Sequence, residues 1–334
     1  YKISSHFING LLTVIFGGST GIEVSTVVAT ATIGSVAQRK QNVFKEYKTE
    51  LICTGITAGI TVLFGSPIAG ILFSIEVITK KLNKTFFLTN GIAIVIASTL
   101  LLFFDEKALF TVALTTWHYH AIPYFILLGV LAGVNSVYLT KTVLFFKSKF
   151  SKLKTQFHKI LIGSAILSVG LLVLPQLYGD GYHAIKEIFA NSTPAITLTW
   201  FATLVGIIVL KPILTSATLA AGGDGGVFAP SLFIGAFLGL FVASILNTYF
   251  HSNVIPINFM IIGMAAVLSA SIQAPFTALF LVCGMINDYT LFFPILMVSL
   301  IAKYTSKKIF FFSVYNYSLV ILKSYLCLLK NSND

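Results

Sequence analysis

The sequence predicts an all-α polytopic membrane protein, and three observations predict it. Only 10% of its 334 residues are charged, against about 25% in an ordinary soluble domain, while 56% are hydrophobic and the mean hydropathy is +0.91. The runs Thr85–Phe104, Ile160–Gly179 and Ile188–Leu210 hold no charge, and Gly225–Asn287 has no Asp, Glu, Lys or Arg anywhere; about 20 apolar residues suffice to cross a bilayer. Third, a glycine cluster near the start of the chain returns near its middle and leads into apolar sequence both times.

In chain order, apolar segments fall near residues 7–16, 24–37, 51–64, 67–79, 85–104, 121–145, 160–175, 197–220, 228–249, 256–270, 275–287, 289–302 and 309–323. Several are shorter than a span and many are interrupted by Gly or Pro, the pattern of discontinuous helices around a transport site. The chain begins at Tyr1 rather than Met, and its first residues do not read as a signal peptide. Only a short polar tail follows Leu329, so no C-terminal cytosolic domain is expected.

Much of the basic charge behind the net +11 falls in clusters. Arg39, Lys40, Lys45 and Lys48 form one loop cluster, Lys141, Lys147, Lys149, Lys152, Lys154 and Lys159 surround another, and Lys303, Lys307 and Lys308 lie near the end. Basic loops between apolar spans follow the positive-inside rule. No basic groove with interleaved aromatics accompanies them, so no nucleic-acid partner is expected. Cys53, Cys283 and Cys327 are far apart in apolar surroundings and read as packing residues, and the six histidines show no ligand spacing; no metal site is expected.

The repeat is specific. Gly17-Gly18-Ser19-Thr20-Gly21-Ile22-Glu23 matches Gly222-Gly223-Asp224-Gly225-Gly226-Val227-Phe228 at an offset of 205 residues, and Ser66-Pro67-Ile68-Ala69-Gly70-Ile71 resembles Ala274-Pro275-Phe276-Thr277-Ala278-Leu279 at 208. Two motif pairs at nearly one spacing indicate two homologous halves, inverted in the membrane. Each glycine cluster runs directly into helix. The first turn of a helix has amides without intrahelical partners, and the aligned peptide dipoles add partial positive charge there. Glycine lets a ligand approach that backbone. Two such starts facing each other make a chloride-sized anion site without a buried lysine or arginine.

Enzyme readings fail on the residues. No Gly-Lys-Ser/Thr follows Gly222–Gly226, as a phosphate loop requires. Ala221 breaks the Gly-x-Gly-Asp pattern that an intramembrane aspartyl protease would need at Asp224, and no second aspartate sits in a span. Ser19 is followed by Thr20, where a serine intramembrane protease would want Gly. Glu23 is the informative carboxylate. An acid inside a membrane is a functional hypothesis by default, and one seated on helix-start amides competes with any anion those amides could hold. Protonating it or swinging it away clears the path, so it reads as a gate.

At these residues the chain resembles the CLC family of chloride channels and chloride/proton antiporters. "GIEVS" (Gly21–Ser25) resembles the family's Gly-Lys/Arg-Glu-Gly-Pro gate motif, and "GSPIAGILFSIEV" (Gly65–Val77) the segment that follows it. "GGDGGVFAPSLFIGAFLG" (Gly222–Gly239) resembles the Gly-x-Phe-x-Pro anion motif, and "QAPFTALFLV" (Gln273–Val282) its downstream counterpart; order and spacing agree from about residue 10 to 315. The resemblance implies a CLC-type inverted repeat of broken, tilted helices meeting at a midplane anion site. It implies one transmembrane domain over residues 1–330, with a partial first repeat at about 1–155 and a second at about 156–325. It further implies a homodimer with one pore per subunit, chloride as the transported ion, no cofactor, and a multi-pass location in the bacterial inner membrane.

By the same resemblance Glu23 is the gating glutamate, and Gly21, Ile22, Val24, Val227 and Phe228 contribute backbone to the anion path. The family's pore tyrosine, at the start of the last helix, aligns with Phe312, with Tyr315 one turn on as the alternate. Ile22, Val24 and Ser25 replace the basic residue, Gly and Pro of the gate motif. The antiporters' second glutamate, after the one matching Glu76, is Val77 here, so that proton-relay position is lost. The family's Gly-Ser-Gly-Ile-Pro motif would lie upstream of Tyr1, with the helices that carry it. The expectation is a channel; an antiporter with weak or altered coupling and a non-conducting degenerate homologue are the alternatives.

Overall fold

Apolar runs become helices because a chain in lipid must satisfy every backbone N–H and C=O within itself. The computed structural model describes residues 2–40, 46–79, 82–104, 108–112, 114, 116–190 and 197–315. Among them are α1 (Lys2–Ile15), α2 (Glu23–Lys40), α3 (Lys48–Phe64), α4 (Pro67–Phe73, continued by a π-helical turn Ser74–Ile78), α5 (Lys84–Phe103), α6 (Ile122–Ser151) and α7 (Gln156–Val173). They are followed by α8 (Tyr182–Ala190), α9 (Leu198–Ala221), α10 (Phe228–Tyr249), α11 (Pro256–Ile272), α12 (Pro275–Ile286) and α13 (Phe292–Ile309). No strand occurs among the described residues; a single antiparallel bridge joins Gly21 to Gly226. Among the described residues five helical segments are long and apolar enough to cross a membrane, and α1, α4, α11 and α12 are shorter apolar helices.

α10 and α11 form the centre. Both are buried along almost their whole length, and glycines let their backbones meet: a Cβ on Gly239 would stand 1.9 Å from the Phe259 carbonyl oxygen, and one on Gly235 2.2 Å from that of Gly263. Small residues permit this approach where apolar burial drives nothing. α5 and α7 lie at the periphery and present mostly exposed apolar surface.

The repeat is written into the hydrogen bonds. After α1, Gly17 (φ +86°) and Gly18 donate to the carbonyls of Val14 (3.0 Å) and Thr13 (2.7 Å); after α9, Gly222 (φ +106°) and Gly223 donate to those of Leu219 (3.4 Å) and Thr218 (3.0 Å). This is the same left-handed glycine cap, closed in the same way, 205 residues apart. The loops also cross over. The Ser19 amide bonds the Thr218 hydroxyl, and the Asp224 amide bonds the Thr13 hydroxyl, each at 3.2 Å. The second motif pair repeats as well: Gly65 and Gln273 are left-handed caps with φ +61° and +59°, ahead of α4 and α12.

Three details depart from the sequence expectations. α8 lies in a stretch with no assigned apolar segment; Asp180 starts it, accepting the Tyr182 amide at 3.0 Å. Lys141, Lys147 and Lys149 lie on α6 itself, because the helix runs on to Ser151. Residues 310–313 after α13 are non-helical, and helix resumes at Val314. Lys45, Cys327 and the last apolar segment beyond residue 315 lie outside the described residues.

Candidate anion site

Two helix starts meet at the paired glycine loops. α2 begins at Glu23 and α10 at Phe228, the positions that the repeat makes equivalent. The Gly21–Gly226 bridge and a 2.8 Å bond from the Thr20 hydroxyl to the Gly226 carbonyl hold the loops together. The first bonds at the two starts run from Thr26 to Ile22 and from Ser231 to Val227. The amides of Glu23, Val24, Phe228 and Ala229 therefore precede the hydrogen-bonded ladders and point along the helix axes toward the junction.

Glu23 sits on that junction and is 3% exposed. Its Oε1 accepts the Tyr182 hydroxyl at 2.7 Å. Its Oε2 is buried, with no partner at full hydrogen-bond geometry among the described residues, and the carboxyl group lies beside the amides of Glu23 and Ala229. The carboxylate fits because residue 21 has no side chain: a Cβ on Gly21 would stand 1.8 Å from Oε2. The two gate-motif departures are packed. The Val24 methyl fills the space beside Gly226, 2.1 Å from where a Cβ would be. Ser25 donates to Asp224 Oδ1 at 3.1 Å, and Asp224 Oδ2 meets His6 Nδ1 at 2.8 Å.

Val227 is fully buried, and Phe228 sends its ring away from the junction to pack on Phe64 and Phe73, centroids 6.2 and 5.7 Å apart. Ile22 is half-buried beside Glu23. The two tyrosine-position candidates separate. The Phe312 ring meets those of Phe310 and Phe311 edge-on at 5.8 and 5.6 Å. The Tyr315 hydroxyl is buried, faces the Val227 amide and lies 3.3 Å from where a Cβ on Gly226 would be. The hydroxyl brought to the glycine loop thus belongs to the alternate, Tyr315, because helix restarts at Val314 rather than at Phe312.

Val77 is half-buried in the π turn against the core. Its neighbour Glu76 is committed elsewhere: it accepts the Thr277 amide and hydroxyl, each at 2.7 Å, and so caps α12.

Sequence reasoning passed over a second charged cluster. Lys211, in the middle of α9 and 0% exposed, donates to the carbonyls of Leu177 (3.0 Å) and Gly179 (2.8 Å) and lies 4.6 Å from the centre of the Phe233 ring. Asp180 and Glu23 are the acids that act on it. The rule that singled out Glu23, an ionisable group inside a span, applies equally to Lys211. Tyr182 had no such signal, since only the fold brings it to Glu23.

The family model for voltage gated chloride channels matches residues 2–307. The chain belongs to the CLC family. Voltage-gated ClC-type chloride channel ClcB proteins of Salmonella typhimurium and Salmonella typhi are each 28% identical to it over 311 residues, covering 91% of this chain and 73% of theirs. Among solved structures, a slow cyanobacterial Cl-/H+ antiporter shares the fold with a TM-score of 0.81 at 22% identity, covering 98% of this chain and 76% of its own. A CLC-type fluoride/proton antiporter follows at 0.75 and 24% identity, over 92% and 74% of the two chains. The all-helical inverted repeat is therefore the CLC fold, and the chain is an integral multi-pass membrane protein.

Proposed function

We propose that this CLC protein conducts chloride passively through a pore gated by Glu23. The observation that carries the reading is the placement of the Glu23 carboxylate on the starts of α2 and α10, where it occupies the amides that would otherwise receive an anion. Gly21, Ile22, Val24, Val227 and Phe228 contribute backbone to that path, and Tyr315, rather than Phe312, supplies the tyrosine hydroxyl. The ClcB relatives, named as chloride channels, agree with a conductive mode. Val77, and the commitment of Glu76 to α12, leave the inner proton-relay position without a free carboxylate. We further take the protein to act as a homodimer, one pore per subunit, in the bacterial inner membrane.

Coupled chloride/proton exchange is the second reading, favoured by the His6–Asp224 pair that joins the α10 loop to α1 and could carry a proton in place of Val77. Chloride efflux from proteoliposomes with simultaneous external pH recording separates the two. Efflux with no proton movement is expected; proton uptake in fixed ratio to chloride would establish exchange. Glu23→Gln is expected to abolish the pH dependence of flux, and an unchanged pH response would remove Glu23 from the gate.

A further inference from the structure

Glu23 is held from a third direction, by a helix that belongs to neither glycine loop. α8 begins at Tyr182, 159 residues along the chain from Glu23, and its phenol donates to Oε1 at 2.7 Å. We propose that Tyr182 is the positioning residue that keeps the Glu23 carboxylate seated over the anion path, so that α8 and the turn before it form a latch on the gate. The proposal rests on the reading of Glu23 as a gate.

The two carboxylate oxygens have different work. Oε2 is buried against Gly21 without a hydrogen-bond partner among the described residues, on a carboxyl group that lies beside the helix-start amides a chloride ion would take over. Oε1 turns away from them to the phenol. A hydrogen bond to a charged acceptor belongs to the strong class, and it is stronger still where water is excluded. It acts on the carboxylate, through the oxygen that the Tyr182 phenol reaches. Tyr182 thereby weights the competition between carboxylate and anion toward the carboxylate.

The phenol can do this because it is fixed. Its ring meets the Phe110 ring edge-on at 5.7 Å, and the Phe110 amide is itself bonded to the Met285 carbonyl of α12 at 3.0 Å. Gly181 (φ +89°) seats the start of α8 flat on Phe233, where a Cβ would come within 2.2 Å of the ring. The preceding turn is tied to α9 by Lys211 through the Leu177 and Gly179 carbonyls, and to the end of α1 by the Tyr178 hydroxyl on the Ile15 carbonyl. Asp180 and Lys211 are the charged groups that act on Glu23 from this side, and from the α13 side it is faced by the Tyr315 phenol. The latch is braced against the same helices that frame the site.

The test is chloride binding to the purified full chain, measured by titration calorimetry on wild type, Y182F, E23Q and the double variant. Y182F keeps the ring on Phe110 and removes only the donor. It is expected to bind chloride about ten-fold more tightly at alkaline pH, the equivalent of one charge-assisted bond. The gain should fade in acid as Glu23 takes up a proton, and in the E23Q background Y182F should add less than about two-fold. Equal chloride affinity in wild type and Y182F, with E23Q still altering it, overturns the latch and leaves the gate standing. No effect of E23Q overturns the gate reading itself. Should Y182F fail to fold, chloride-induced infrared difference spectra of the wild type decide: a carboxylate band and a tyrosine C–O band are expected to shift together. A carboxylate shift without the tyrosine shift overturns the proposal.

Discussion

Gly21 and Gly226 face each other as a single antiparallel bridge between two loops that the chain repeats at a spacing of 205 residues. Neither could be any other residue without moving the site. Gly21 leaves room for the Glu23 carboxylate, and Gly226 leaves room for the Val24 methyl and the Tyr315 hydroxyl. The helix starts, the Glu23 carboxylate and the Tyr315 phenol are thus placed by two missing side chains.

Gly21→Ala is the direct probe of that arrangement. Its Cβ would fall 1.8 Å from Glu23 Oε2 and 2.6 Å from the Ala229 Cβ, so the carboxylate must leave its seat. Proteoliposome chloride efflux at alkaline pH is expected to rise severalfold and to lose most of its pH response. Efflux unchanged from wild type would mean that the carboxylate position does not limit passage.

In the wild type the sign of the pH effect follows from charge. Deprotonated Glu23 lies at helix starts whose partial positive charge favours an anion; protonation neutralises it and weakens that attraction. Chloride flux is expected to rise as pH falls and to level off once Glu23 is protonated. Stopped-flow efflux across a pH series checks the direction, and a flux that rises with pH would contradict it.

Tyr315→Phe should weaken chloride binding by about ten-fold, the worth of one hydrogen bond to a charged partner. Phe312→Leu, which removes a ring packed edge-on against Phe310 and Phe311, should leave affinity within about two-fold. Titration calorimetry on both distinguishes the residues, and the reverse ranking would restore Phe312 to the pore.

Lys211→Met keeps the aliphatic length but strands the carbonyls of Leu177 and Gly179. At about 1–3 kcal/mol for each buried group left unpaired, a loss of roughly 2–6 kcal/mol is expected. Thermal denaturation in detergent reads it as a lowered Tm, and an unchanged Tm would show that water reaches those carbonyls.

Gly239→Ala sets helix propensity against packing. Alanine favours a helix over glycine by about 1 kcal/mol, yet here its Cβ would lie 1.9 Å from the Phe259 carbonyl oxygen. Overpacking of about 1–3 kcal/mol decides the sign, so Tm should fall. A rise in Tm would show that α10 and α11 can separate without loss.

What was legible in the sequence is what is local. The glycine caps, the helix starts at Glu23 and Phe228, and the repeat spacing depend on residues a few positions apart, and each recurs in the structure. Between Phe312 and its alternate Tyr315 the sequence had no local signal: counting from apolar onset puts a helix at Phe312, while the chain stays non-helical until Val314 and brings the Tyr315 hydroxyl to the glycine loop. Tyr182 was beyond reach for a different reason: nothing around residue 182 marks it, and its meaning comes from Glu23 across the fold. Lys211 fell between, visible as a charge in a span but without a motif to say what it holds.

The exchanged threonines have a consequence for how the site comes into being. Thr13 closes the loop of the second half and Thr218 that of the first, so each loop is finished by a residue its own half does not contain. The chain clasps itself hand over wrist. The candidate anion site is thus not two half-sites brought together but a single knot, closed only when the ends of α1 and α9 meet, so that a disturbance at either threonine falls on the loop of the opposite half.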